Sequence, residues 1–193
     1  MNIYEEAIQS ITAAYQRALD TGRRNMNAMS LATVNSDGHP SIRTVLLKGL
    51  SEEGLLFFTD ERSRKGRDLA VCPHASVCMY WEPIEEQIRV DGRVERLTKD
   101  LTEADFLARP RQGQLLIANS HQSAALQSVD AFRTRIKAAE ASTSESVQVP
   151  QYWAGYRLIP NYIETWQGRR DRIHERVAYE HVEGVWTKQL LEP

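Results

Sequence analysis

The strongest constraint on the fold is a series of short apolar runs, each closed off by a turn signal. "AMSLATVN" (28–35) reads as a strand and "SDGHP" (36–40) as a turn. "SIRTVLLKG" (41–49) and "GLLFFTD" (54–60) are further strands joined around "SEEG". "HASVCMYWE" (74–82) is another, and "EEQIRVDGRVERL" (85–97) is one long strand or a hairpin turning at Asp91-Gly92. "YWAGYRLIP", "YIETWQG", "RIHERVAYEHV" and "VWTKQLLEP" close the chain as strands, the last two around "VEG". Helices fall between these runs. Tyr4, Ile8, Ile11, Tyr15 and Leu19 recur at helical spacing over residues 2–20. "SRKGRDLA" begins a helix, "TKDLTEADFLARP" is helical up to Pro110, a further helix starts near Gln112, and another runs from Ser128 to Ala141. The polar "ASTSESVQVP" (141–150) reads as a mobile connector. Many strands with helices inserted between them predict one domain over 1–193, an antiparallel barrel of the α+β class.

Bulk properties narrow the function. The net charge of -2 does not suit a protein that coats nucleic acid. No apolar run approaches the roughly 18 residues of a membrane span, and the N-terminus does not read as a signal peptide. Cys72 and Cys78 match no metal or redox spacing and are expected to be reduced core residues. A cytoplasmic protein follows as the expectation.

Three stretches carry chemistry. In "TDERSRKGRDL", Ser63 is a good N-cap, so Arg64 and Lys65 fall in the first helical turn, where cations oppose the helix dipole. Either both point into water, or an anion is held there by free backbone N–H groups and the two side chains. In "SIRTVLLKG", Arg43 and Lys48 bracket an apolar strand. Long cations can snorkel out of a core, or two cationic sites can serve a phosphorylated ligand. Ideal strand geometry puts these two on opposite faces. The third stretch, "WQGRRDRIHER" (166–176), gathers four arginines and a histidine beside Trp166. As a strand, "DRIHERV" puts Arg172, His174 and Arg176 on one face. That is either a charged edge strand or an aromatic and cationic platform for a planar anionic ligand. Catalytic-triad context, HExxH, P-loop and GxGxxG signatures are absent, and the five histidines show no metal spacing.

Taken in order, "RTVLLKG", "FFTDERSRKG", "EEQIRVDGRVERL", "ARPRQGQ", "SHQS", "YWAGYRLIP" and "WQGRRDRIHER" resemble the pyridoxine (pyridoxamine) 5′-phosphate oxidase family from about Met26 to the final "LEP". The resemblance implies an FMN-binding split β-barrel that forms a homodimer, with FMN at the subunit interface. It also favours one long strand through Asp91-Gly92. By that likeness Arg43, Arg64, Lys65, Gln122 and Ser123 hold FMN. Val45, Leu46 and Leu47 lie along the isoalloxazine, with Phe58, Thr59, Gln87, Trp166 and Arg176 completing its shell. Lys48 matches a position shared by cofactor and substrate. Arg109, Arg172 and His174 match substrate contacts, the last two being the catalytic pair. No metal is implied.

The implied reaction converts pyridoxamine or pyridoxine 5′-phosphate to pyridoxal 5′-phosphate. Hydride leaves the substrate C4′ for FMN, and O2 is reduced to hydrogen peroxide. Neither nucleic acid nor membrane is an implied partner. Two substrate positions depart from the family pattern: Asp105 stands where Tyr is usual and Gly113 where Ser is usual. The "IGAW" common after the second position reads "LLIAN". An oxidase of another substrate, such as a dihydrophenazine precursor, is the alternative. A low-turnover flavin or vitamin-phosphate binding protein is another.

Overall fold

The computed structural model describes residues 1–143 and 146–193. Helix α1 (Ile3–Asp20) opens the chain. Asn2 caps it, with Glu5 returning the hydrogen bond to the Asn2 backbone in a capping box. Its buried stripe is Ala7, Ile8, Ile11, Ala14 and Ala18. Leu19, expected on that stripe, is exposed, and the small alanines let the helix lie close to the sheet. Arg17 locks the helix to the buried carboxylate of Glu86 at 2.7 Å.

Nine strands follow in one antiparallel sheet: β1 (Ala28–Val34), β2 (Pro40–Leu46), β3 (Gly49–Ser51), β4 (Gly54–Asp60), β5 (His74–Trp81), β6 (Glu86–Arg96), β7 (Trp153–Gln167), β8 (Glu175–Val182) and β9 (Val185–Leu191). Their order is β2-β1-β5-β6-β7-β4-β3, with β8 also on β7 and β9 on β8. Helix α2 (Arg64–Val71) joins β4 to β5. Helices α3 (Lys99–Leu107), α4 (Arg111–Ala118) and α5 (Val129–Ser142) lie between β6 and β7. Large apolar side chains, among them Leu31, Phe57, Met79, Trp81, Ile88, Leu158 and Ile163, fill the main core. Phe106, Leu115, Ile117, Val147 and Trp153 form a second cluster.

Strand β7 organises the sheet. It pairs with β6 along one side, while β4 takes residues 153–158 of the other side and β8 takes 162–167. Pro160, with no N–H to donate, lies at the changeover. There the β6–β7 register shifts between Asp91 and Gly92, a bulge that bends both strands without breaking either. So "EEQIRVDGRVERL" is a single strand, as the resemblance favoured. The two runs "YWAGYRLIP" and "YIETWQG", expected as separate strands, form one of 15 residues.

Other boundaries also differ. The strand expected over 41–49 ends at Leu46, and Leu47 and Lys48 make the link to β3. Cys72 and Cys78 are free but only half-buried, because neither side chain reaches the core clusters. The mobile connector expected over 141–150 falls partly on residues 144–145, outside the described residues. On its described part, α5 continues to Ser142 and Val147 is buried in the second cluster.

Candidate active site

The start of α2 builds a cationic cradle. Ser63 caps the helix through Gly66 N–H at 3.3 Å. Lys65 folds back over this turn, donating to Thr59 Oγ1 at 3.0 Å, Gln122 Oε1 at 3.1 Å and Ser63 Oγ at 3.3 Å. Thr59 Oγ1 itself donates to Gln122 Oε1 at 2.9 Å. The Arg64 backbone N–H donates to Ser123 Oγ at 3.2 Å, and Ser123 adopts a left-handed backbone with φ of 69°.

Arg43 enters from β2. Its Nη1 donates to Thr33 Oγ1 at 2.6 Å and to the Leu31 carbonyl at 3.2 Å. Its Nη2 is buried without a hydrogen-bond partner among the described residues, with Asp68 Oδ2 3.6 Å away. Burial pushes the Lys65 ammonium below its usual range, and the charge of Arg43 pushes it further against an opposing pull from Asp60. Burial likewise lowers Arg43, opposed by Asp68 and reinforced by Arg64. The charge of Arg43 set against both Arg64 and Lys65, an orphaned Nη2 and the first turn of a helix fit a phosphate monoester such as that of FMN.

Beside the cradle lies a cavity of about 210 Å³, lined by Thr44, Val45, Leu46, Lys48, Phe58, Thr59, Lys65, Arg109, Gln122 and Trp153. Of the expected flavin neighbours, Leu47 differs. It is 3 % exposed, turned into the core, and gives its N–H to the Asn27 carbonyl at 2.8 Å. Arg109 is held by Asp105, and Gly113 sits one turn beyond it on α4.

A second group forms at the far end of β7. Gln87 pairs with Trp166 and Trp166 with Arg176, so the three make one row across β6, β7 and β8. The His174 ring lies 4.8 Å from the Trp166 ring, centroid to centroid. Arg176 donates to the buried Glu164 at 2.9 Å and to the Glu192 carbonyl at 2.8 Å. Arg172 and His174 are not strand residues as the alternation predicted, because β8 begins only at Glu175. A turn precedes it: Arg172 has φ of 63° and gives its N–H to the Arg169 carbonyl, while His174 Nδ1 accepts from Arg169 N–H at 3.1 Å.

The two groups do not meet within the chain. Gly155, opposite Phe58, and Trp166 are eleven positions apart on β7, about 36 Å of chain at ~3.3 Å per residue, and Phe58 and Trp166 line separate cavities.

Several supporting residues escaped the sequence reading. Asp60 is buried and takes Arg62 at 2.8 Å and the Gln122 N–H at 3.3 Å, fixing the loop that carries Gln122 and Ser123. Burial pushes its carboxyl up, but the hydrogen bonds from Arg62 and Gln122 outweigh that and hold it below the usual range. Trp153 walls the cavity, with the Arg109 guanidinium 4.8 Å over its ring. Glu164 gathers Arg89, Arg176 and Tyr162. An acid inside a strand run was the only available signal for Asp60 and Glu164, and Trp153 was one unremarked residue of the strand run "YWAGYRLIP".

A split antiparallel barrel with a cationic cradle beside a cavity walled by Phe58 and Trp153 fits a class, the flavin-mononucleotide oxidoreductases of the split-barrel type. The comparisons place the chain within it. Residues 15–143 match the family described as pyridoxamine 5′-phosphate oxidase. Residues 153–193 match the pyridoxine 5′-phosphate oxidase C-terminal dimerisation region. A pyridoxine/pyridoxamine 5′-phosphate oxidase of Paraburkholderia phymatum is 41 % identical over 180 residues, covering 93 % of this chain and 85 % of the relative. One from Alkalilimnicola ehrlichii is 39 % identical over 196 residues, covering 100 % of both. Among solved structures, PhzG from Burkholderia lata 383, in complex with tetrahydrophenazine-1-carboxylic acid, superposes with a TM-score of 0.92 at 30 % identity, covering 96 % of this chain and 92 % of that one. The chain belongs to the pyridoxamine 5′-phosphate oxidase family and is an FMN-dependent oxidase.

Proposed function

We propose that this oxidase acts on a planar, anionic heterocycle whose charged end rests on Lys48 and Arg109, in a site completed by the second subunit of a homodimer. One observation carries this reading. Lys48 and Arg109 open onto the same cavity as Phe58, Thr59, Lys65 and Gln122, so a substrate's anionic end and the flavin's neighbours share one space. FMN, when bound, supplies the acceptor for a substrate hydride and passes the electrons to O2, giving hydrogen peroxide. Arg43, Arg64, Lys65 and the α2 N–H groups hold its phosphate. Val45, Leu46 and Phe58 exclude water from its ring.

Trp166, Arg172, His174 and Arg176 would come from the partner, because one chain cannot bring both groups together. Arg172 and His174 then orient the substrate carbon that loses hydride. The match to a dimerisation region supports that arrangement.

The names of the curated relatives favour pyridoxamine and pyridoxine 5′-phosphate as the heterocycle. A second reading, a reduced tricyclic carboxylate like that bound to PhzG, is favoured by the carboxylate of Asp105 on Arg109. The test is oxygen consumption and peroxide release by the FMN-loaded protein, with both phosphorylated vitamers, the unphosphorylated vitamers and the reduced tricyclic acid. Turnover of any anionic member supports the oxidase reading. FMN binding without peroxide from any of them would leave a flavin-binding protein.

A further inference from the structure

The cavity's arginine already has a counter-ion. Arg109 Nε and Nη2 both donate to Asp105 Oδ2, at 2.9 and 2.8 Å. The side chains are 22 % and 11 % exposed, so water screens the pair weakly. The Trp153 ring backs the guanidinium, which is thus pinned between an indole and a carboxylate. With Lys65 engaged in the cradle, the cations that line this end are Lys48 and Arg109, and Asp105, paired to Arg109 at 2.8 Å, offsets one of the two. That leaves one net positive charge for a ligand. A single negative charge is matched. A phosphate dianion exceeds the match and meets Asp105 as a like charge.

Gly113 points the same way. A Cβ there would meet only the Arg109 Cβ, at 3.9 Å, and its backbone is not left-handed, so nothing in the fold demands glycine. In a helix glycine is the less favourable choice. Its effect is to leave room beside Arg109 and to offer no hydroxyl donor to a phosphate.

We infer that Asp105 sets the substrate class, making the site one for a planar ring acid with a single negative charge, a carboxylate, rather than for a phosphate ester. The inference rests on the reading that this cavity takes the substrate's anionic end.

The test measures dissociation constants on the FMN-loaded dimer from the change in flavin absorbance. The probes are phenazine-1-carboxylate and pyridoxal 5′-phosphate. The native protein is expected to bind the carboxylate at least tenfold more tightly. Asp105→Asn, close in shape, should tighten pyridoxal 5′-phosphate at least tenfold and move the carboxylate less than threefold. Glu103→Gln, which removes a carboxylate from the same helix without touching Arg109, should change neither. A native preference for the phosphate overturns the inference, as does an unchanged phosphate constant in an Asp105→Asn protein that melts like the native one. The oxidase reading would survive either result. If neither probe disturbs the flavin, the cavity is not the substrate site, and that reading falls together with the inference.

Discussion

Lys65 reaches back from α2 to within 3.0 Å of the Thr59 hydroxyl in β4, and this contact joins the cationic cradle to the wall of the cavity. Removing the ammonium should weaken FMN binding while leaving the barrel intact. Lys65→Ala is expected to cost about 1.5–3 kcal/mol of FMN affinity, the range for a hydrogen bond to a charged group. Fluorescence titration of the apoprotein with FMN measures it, and an unchanged affinity would remove Lys65 from the cofactor site.

The lowered Lys65 pKa carries a sign. In the apoprotein its burial, with Arg43 nearby, disfavours the charged form. A folded pKa below the unfolded one means that raising the pH through the folded value relieves a cost, so the apoprotein gains stability there. A bound phosphate dianion favours the charged form and raises the pKa again. FMN affinity should therefore be greatest below the apoprotein's Lys65 pKa and decline as the pH climbs through it toward the cofactor-bound value. Lys65→Met should flatten that decline, as read from FMN dissociation constants across the alkaline range.

Shared sites predict an unusual rescue. A hybrid dimer of one Lys65→Ala subunit and one Trp166→Ala subunit concentrates both lesions in one site and leaves the other whole. Equilibrium dialysis of purified hybrids should show one FMN per dimer at native affinity. Two weakened sites and no native one would mean that each chain builds its own.

Two glycines should behave oppositely. A Cβ on Gly92 would sit 2.0 Å from the Ile159 carbonyl oxygen, at the bulge where β6 and β7 bend. Gly92→Ala should cost on the order of 3 kcal/mol or more, in the class of severe backbone strain. Gly113→Ser meets no obstacle and should keep or slightly raise the melting temperature, given the few tenths of a kcal/mol that separate Ser from Gly in a helix. Thermal melts of both variants check the contrast.

The strands were legible because one-sided burial imprints a period of two, as along β1 and β5. Arg64 and Lys65 stood out for a different reason: cations at a helix start run against the dipole, which either leaves them in water or marks an anion site. Strand ends were not legible. The turn from Arg169 to His174 is made mostly by charged residues, with Arg172 left-handed where no glycine marks it. Nor could alternation reveal that Asp105 and Arg109, each plausible as a separate ligand contact, spend their charge on one another. Their four-residue spacing permits that pair, yet only the packing of Trp153 against the guanidinium shows it holding.

Strand β7 runs unbroken from the residues facing Phe58 to the row containing Trp166, and its length therefore acts as a gauge. Adding two residues would preserve which side chains face inward, yet would carry Trp166 about 6.6 Å along the strand axis at ~3.3 Å per residue. That displacement exceeds what contact with a rigid tricyclic ring tolerates. Natural insertions and deletions in proteins built on this plan should consequently gather in the loop after α4 and in the segment leading to Trp153, sparing the interval from Gly155 to Trp166. Alternation specifies the face of a strand, and a site shared between two subunits adds a second demand, a fixed number of residues between the strand's two ends.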